Sequence, residues 1–181
     1  MKRTQHNEQH PTVLACDPSF TAWGWVVLQN HTVIDSGCIK TSPEAKKRRI
    51  RQGDDRVRRT SEIIVSLMEI IGEHKISFIV SELPHGSQNA KAAIMMGVVV
   101  GILQAISELW DIPIEWYSEN DAKKALLGRI SSSKAQVIEA INQAFETTLV
   151  GPKYVQEAVA DSLAIYNVAT LQSPTLKILL K

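Results

Sequence analysis

Val13-Leu14-Ala15-Cys16-Asp17-Pro18-Ser19, running on into Phe20-Thr21-Ala22-Trp23-Gly24-Trp25-Val26-Val27-Leu28, is the stretch from which the fold can be read. Val13 to Ala15 has the continuous apolar character of a short buried strand, Asp17-Pro18-Ser19 is turn-prone, and Trp23 to Leu28 reads as a second strand. Gln29-Asn30-His31 signals the next turn and Thr32 to Lys40 a third strand, so the chain opens with a three-stranded meander. Asp17 is out of place in this stretch. It closes an apolar run, and a carboxylate stripped of water needs a partner.

Working outward, Lys46 to Arg59 is densely basic, and from Val57 the residues Ile63, Ile64, Leu67, Ile70 and Ile71 recur at helical spacing until Gly72. Ile76 to Val80 is a β-branched apolar run typical of a central parallel strand. Pro84 to Gln88 is a loop, and a long apolar helix begins near Asn89 or Ala90. Ile112 to Tyr117 is a further strand, followed by helices over Asn120 to Leu127, Lys134 to Phe145 and, after the Gly151-Pro152 break, Val155 to Leu171. The order β-β-β-α-β-α-β-α-α-α predicts an α/β fold: a mixed five-stranded sheet with helices on both faces. One domain is expected over residues 12–172, with a flexible N-terminal tail over 1–11 and a C-terminal tail over 173–181.

At 181 residues, 44% hydrophobic and 22% charged, the chain has the composition of a globular protein rather than a disordered or fibrous one. Its net charge of +1 means that any nucleic-acid footprint must come from where charges lie. Cys16 and Cys38 fall in strand-like segments and read as buried thiols of a reducing cytoplasm. Met1 to Pro11 lacks the apolar core of a signal peptide, so export is not expected. Ala90 to Leu109 is long and apolar, but Gly97, Gly101, Gln104 and Ser107 interrupt it, which favours a buried helix over a membrane span.

Two more acids share Asp17's awkward position. Glu82 follows Phe78-Ile79-Val80-Ser81, and Asp161 lies inside the apolar helical stretch Ala158 to Ala169. Ligands of open α/β sheets bind beyond the carboxyl ends of strands, where Asp17 and Glu82 both lie. Asp161 and Glu157, four residues apart, share one face of the last helix, which could close over those ends. Converging carboxylates suit Mg²⁺ or Mn²⁺, and no His/Cys cluster points to zinc. Two ions about 4 Å apart can activate water and stabilise the leaving oxygen in phosphodiester hydrolysis. Structural ion pairs and helix-end charges are the alternative reading of the same three positions.

Cys16-Asp17-Pro18-Ser19-Phe20-Thr21-Ala22-Trp23-Gly24 resembles the opening motif of RuvC-type Holliday-junction resolvases. Val80-Ser81-Glu82 is similar to the second motif of that family, and Asn89-Ala90-Lys91-Ala92-Ala93 with Gly97 and Gly101 to the helix that follows it. Ser133-Lys134-Ala135-Gln136-Val137 resembles the family's basic helix start, and Ala160-Asp161-Ser162-Leu163-Ala164-Ile165 its C-terminal acidic helix. The resemblance runs in order from about Val13 to Ala169.

It implies an RNase H-like fold, a cytoplasmic homodimer and metal-dependent nicking of opposed strands of a four-way DNA junction. Mg²⁺ is the implied cofactor, with Mn²⁺ as a substitute and two ions per active site. Asp17, Glu82 and Asp161 match the family's metal-binding carboxylates. The family's remaining acid precedes the last by three residues, where this chain has Ala158; Glu157 is taken as its substitute. Lys134 is expected to contact the scissile phosphate or offset developing charge. Ser133, beside Ser132, is either a phosphate contact or a helix cap.

The loop carrying His85, Ser87, Gln88 and Asn89 corresponds to the family segment that enters the junction centre, with His85 where an aromatic wedge is usual. Lys46, Lys47, Arg48 and Arg49, extended by Arg51, Arg56, Arg58 and Arg59, form a basic cluster suited to phosphates along the DNA arms. Gly97 and Gly101, four apart, point either to a two-fold interface or to close packing on the protein's own sheet. A branched-DNA-binding protein with little cleavage activity is the alternative function, motivated by Ala158 and His85. An actin-like ATPase is disfavoured for want of Gly-rich phosphate loops.

Overall fold

The structure is a computed structural model that describes residues 10–44 and 50–180. Strands β1 (Thr12–Asp17), β2 (Ala22–Gln29) and β3 (Thr32–Lys40) form the expected meander. Helix α1 (Gln52–His74) leads to β4 (Phe78–Glu82), α2 (Ala90–Trp110) to β5 (Ile114–Tyr117). Helices α3 (Glu119–Leu127), α4 (Lys134–Ala144), α5 (Lys153–Gln172) and α6 (Pro174–Leu179) complete the chain. The sheet order is β3-β2-β1-β4-β5, with β1 parallel to β4 and β4 parallel to β5. This is the predicted mixed five-stranded sheet.

Alternation along the central strands divides the core into two layers. Val13, Ala15, Val26, Leu28, Phe78 and Val80 face a layer closed by α5, with α3, α4 and α6 contributing. Leu14, Cys16, Trp23, Val27 and Ile79 face the opposite layer, where Ile63, Leu67 and Ile71 of α1 and Val99, Leu103 and Ile106 of α2 pack. Strand residues two apart share a face. Asp17 therefore continues the Val13-Ala15 row and Glu82 the Phe78-Val80 row, and both belong to the face that α5 covers.

Gly24, on β2 opposite Asp17, decides how closely α5 can lie. A Cβ there would stand 2.2 Å from the carbonyl oxygen of Ala158, so the α5 backbone rests on the bare strand. Asp161 comes less than one helical turn later.

Several boundaries differ from expectation. Helix α1 begins at Gln52 rather than near Val57, because its first turn is polar but holds an Arg51–Asp54 ion pair at 2.8 Å. Residues 174–179, expected as tail, form α6, whose Leu176 is fully buried and whose preceding Ser173 caps it through the Leu176 amide at 2.9 Å. The helix expected to be buried, α2, is long and apolar enough to cross a membrane by composition. It packs only one face on the sheet, leaving Ile94 and the glycines 97 and 101 exposed. Cys16 is buried, and its thiol is pushed up to about 12, chiefly by burial; Cys38 is half-buried, and both are free.

Gly24→Ala should lower stability by about 2 kcal/mol, a fall in Tm of roughly 4–8 °C, because the obstacle is backbone and cannot rotate away. A thermal melt followed by circular dichroism checks this.

Candidate active site at the strand ends

β1 and β4 run parallel in register Cys16↔Ser81, which places Asp17 and Glu82 at adjacent carboxyl ends. From above, α5 brings Asp161 to the same point. Ser133 opens α4 with a capping box: its Oγ accepts from the Gln136 amide at 3.3 Å, and its own amide donates to Gln136 Oε1 at 3.0 Å. That cap sets the orientation of the next residue, Lys134, whose ammonium donates to Asp161 Oδ2. Four positions separated by up to 144 residues in sequence thus share one small region.

Charge and desolvation dominate it. Asp17 is held well above the usual carboxylate range, first by burial and then by the negative charges of Glu82 and Asp161. Burial raises Glu82 to about 7, with Glu119 and Asp161 adding to the shift. Asp161 is also raised, chiefly by burial, although the Lys134 ammonium pulls the other way. Burial works against the charge of Lys134, yet the attraction of Asp161, with Asp17 and Glu119 behind it, holds Lys134 above its ordinary value. Asp17 makes no side-chain hydrogen bond among the described residues.

Such a set of oxygen donors, repelling one another and partly dehydrated, fits a hard divalent cation. In the present arrangement no three His, Cys, Asp or Glu side chains among the described residues converge closely enough to enclose an ion. Lys134 offsets the charge of all three acids, joined by Lys123 at Asp161 and by His85 at Glu82.

The remaining expected residues divide. Glu157 lies on α5 but pairs with Lys153 of its own helix at 3.7 Å. His85 and Gln88 are exposed on the loop beside Glu82, and with Glu82 they line a cleft of about 780 Å³. Asn89 and Ser87 are occupied locally: Asn89 Oδ1 caps α2 through the Lys91 amide at 3.0 Å, and Ser87 Oγ accepts from the Asn89 amide at 3.1 Å. Ser132 Oγ is buried without a hydrogen-bond partner among the described residues.

Lys46, Lys47, Arg48 and Arg49 lie outside the described residues. The rest of that basic run is largely committed to the fold. Arg58 donates to Asp55 Oδ1 at 2.7 Å and also pairs with Glu62. Arg59 is buried over the Phe20 ring, 4.3 Å from its centre, and donates to Thr41 Oγ1 at 2.9 Å and the Phe20 carbonyl at 3.0 Å. It braces the turn after Asp17 against α1. The helical spacing of Asp55 and Glu62 about Arg58 was the sequence signal for its pairing, whereas nothing local marks the contact of Arg59 with the Phe20 carbonyl. Sequence reasoning also passed over Glu119, which acts on all three acids.

A family model described as "Crossover junction endodeoxyribonuclease RuvC" matches residues 13–168, the span that contains every element of this site. The chain belongs to the RuvC family. It is similar to the RuvC of Shewanella amazonensis, 27% identical over 157 residues that cover 84% of this chain and 83% of the relative. The RuvC of Shewanella frigidimarina is 29% identical over 167 residues, covering 89% and 88%.

Among solved structures, Thermus thermophilus RuvC in complex with a Holliday junction substrate superposes with a TM-score of 0.70 at 20% identity, over 92% of this chain and 96% of that one. The yeast mitochondrial Holliday junction resolvase Ydc2 gives 0.60 at 10% identity, over 88% and 77%. These likenesses establish the RNase H-like fold. As a RuvC family member the protein is a Holliday-junction-resolving endodeoxyribonuclease of a divalent-metal nuclease class.

The raised Glu82 has a stability consequence. A proton that the unfolded chain releases near 4.5 is held to about 7 in the folded protein, so the contribution of protonated Glu82 is present below 4.5 and lost as pH rises through 7. In EDTA, Glu82→Gln should therefore gain stability relative to wild type between pH 4.5 and 8, by roughly 3 kcal/mol in total. Denaturant unfolding of both proteins across that range measures the difference.

Proposed function

We propose that the protein resolves four-way DNA junctions by paired nicks made by a homodimer, with Mg²⁺ as the working ion, Mn²⁺ as a substitute and two ions at each site. The observation carrying this reading is the convergence of Asp17 and Glu82 from adjacent parallel strands with Asp161 from α5, beside Lys134. Asp17, Glu82 and Asp161 would hold the ions, which supply the Lewis acidity that activates water and stabilises the departing oxygen. Partial burial strengthens each charge in the site and makes the acids depend on a cation for their ionised form.

Lys134 is half exposed, so its ammonium can turn from Asp161 to a phosphate oxygen and offset charge that develops there. The hydroxyl of Ser133 keeps its proton free to donate to the same phosphate, since the capping box uses only its oxygen and amide. Exposed His85 and Gln88, at the rim of the Glu82 cleft, are placed to meet unstacked bases at the junction centre. The side chains of Ser87 and Asn89 shape that loop, and contact with DNA there would come alongside their capping roles. The 46–49 basic segment is assigned to the phosphates of the DNA arms. We assign the protein to the cytoplasm, a reading that its two free cysteines support, since unpaired thiols suit a reducing compartment.

Dimerisation is assigned to α2. Ala90, Ile94, Gly97 and Gly101 make an exposed stripe at helical spacing, and a Cβ at either glycine would meet nothing within 4 Å. The glycines therefore do not serve packing on the protein's own sheet. An apolar stripe open to solvent on a helix anchored by its other face suits a second copy.

With a synthetic four-way junction and Mg²⁺, wild type should yield symmetric nicks, and Glu82→Gln and Asp161→Asn should leave only background cleavage while still retarding the junction in a gel. Cleavage at the wild-type rate by both variants would falsify the assignment. Lys134→Ala should slow single-turnover nicking by about 10²-fold. Gly97→Arg combined with Gly101→Arg should convert the dimer to monomer in sedimentation velocity, with an unchanged far-ultraviolet circular dichroism spectrum.

A further inference from the structure

Position 158 offers no ligand. The Ala158 side chain is buried, and its carbonyl oxygen accepts from Ser162 Oγ at 2.9 Å while lying over Gly24. Glu157, the neighbouring acid, pairs with Lys153 and, unlike Glu119, is not among the main charges that act on Asp17, Glu82 and Asp161. We propose that Glu119 supplies the carboxylate missing at position 158, joining Asp17, Glu82 and Asp161 as an ion ligand of this chain; the inference rests on the metal-centre reading above.

The sheet register brings Glu119 to the site. Glu82 pairs with Tyr117 across parallel strands, and the Leu83 amide donates to the Tyr117 carbonyl at 2.8 Å. Neighbouring strands lie about 4.8 Å apart. Tyr117 packs on the α5 side of the sheet, the side to which Glu82 also belongs. Ser118 then caps α3, its Oγ accepting from the Asp121 amide at 3.0 Å, so the chain turns immediately beyond the strand end and Glu119 becomes the first residue of the helix. Glu119 lines the same cleft as Glu82, Pro18 and His85.

The chemistry of this carboxylate differs from the other three. Lys123, one turn on, donates to Glu119 at 2.5 Å and holds it below the usual glutamate range, with Lys134 and His85 adding attraction. The helix start further favours its negative charge. Glu119 is a paired, partly exposed carboxylate. Its charge in turn raises Asp17, Glu82 and Asp161. An ion at this point would relieve that repulsion. Lys123 competes with the ion for the same oxygen atoms.

A plain helix-start ion pair and an ion ligand give opposite results in Mn²⁺ titration calorimetry. If Glu119 is a ligand, Glu119→Gln weakens Mn²⁺ binding by about 10-fold or more, Glu157→Gln leaves it unchanged, and Lys123→Gln tightens it by freeing Glu119. If Glu119 and Lys123 merely support α3, both variants bind Mn²⁺ as wild type does and lose a similar increment of Tm in EDTA, which overturns the proposal. Loss of binding in Glu82→Gln alongside wild-type affinity in Glu119→Gln also overturns it, with the metal-centre reading intact. A wild type that binds no Mn²⁺ at millimolar concentration overturns both. Cooperative melting of each variant in EDTA establishes that it is folded; Glu119 is 43% exposed, so its substitution leaves the core untouched.

Discussion

The approach of α5 to β2 at Gly24 governs the rest of the molecule. Only a strand residue without a side chain lets the Ala158 carbonyl lie where a Cβ would be, 2.2 Å from it. That contact sets the height of α5 over the sheet, and with it the distance from Asp161 to the strand ends. It also explains why a small residue suits position 158: its side chain is packed against the strand. The fold has closed one potential ligand position with packing, and α3 presents an acid from the other side of Glu82.

Once these elements are assembled, the site is held in electrostatic tension. Burial and mutual repulsion disfavour ionisation of Asp17, Glu82 and Asp161, and Lys134 offsets only part of this. A core made for stability would not collect charges this way, since buried charges are costly without full compensation. The expense falls at the carboxyl ends of β1 and β4, while both core layers beneath remain apolar and tightly filled. Arg59 contributes from the far side, bracing the turn after Asp17 through the Phe20 carbonyl and Thr41.

Much of the fold was legible because its elements carry strong local patterns. Val13 to Ala15, Phe78 to Val80 and the helical spacing from Ile63 to Ile71 leave little choice of period, and a meander followed by alternating strands and helices implies a mixed sheet. Boundaries were less legible where polar residues carry helix: the first turn of α1 rests on the Arg51–Asp54 pair. Helix α6 was hidden because a six-residue helix with one buried leucine has almost no periodic signal. At the end of the basic run, Arg58 and Arg59 are engaged within the fold. Asp55 and Glu62 pair with Arg58 at helical spacing that a count of basic residues overlooks, whereas the Phe20 carbonyl reaches Arg59 only after folding.

From sequence alone came the order of the elements, the RuvC-type motifs and the three acids, because each acid interrupts an apolar pattern whose period fixes its face. What needed the tertiary structure was which charges share a volume. Glu119 lies in a polar helix start with no anomaly to mark it, and its nearness to Glu82 depends on the register of β4 against β5. Glu157 shares a helical face with Asp161 by spacing, yet it is not among the main charges that act on the three acids. Electrostatic neighbours are set by distance in space, and distance in space between β5, α5 and β1 is decided by the packing of the sheet, which no local pattern records.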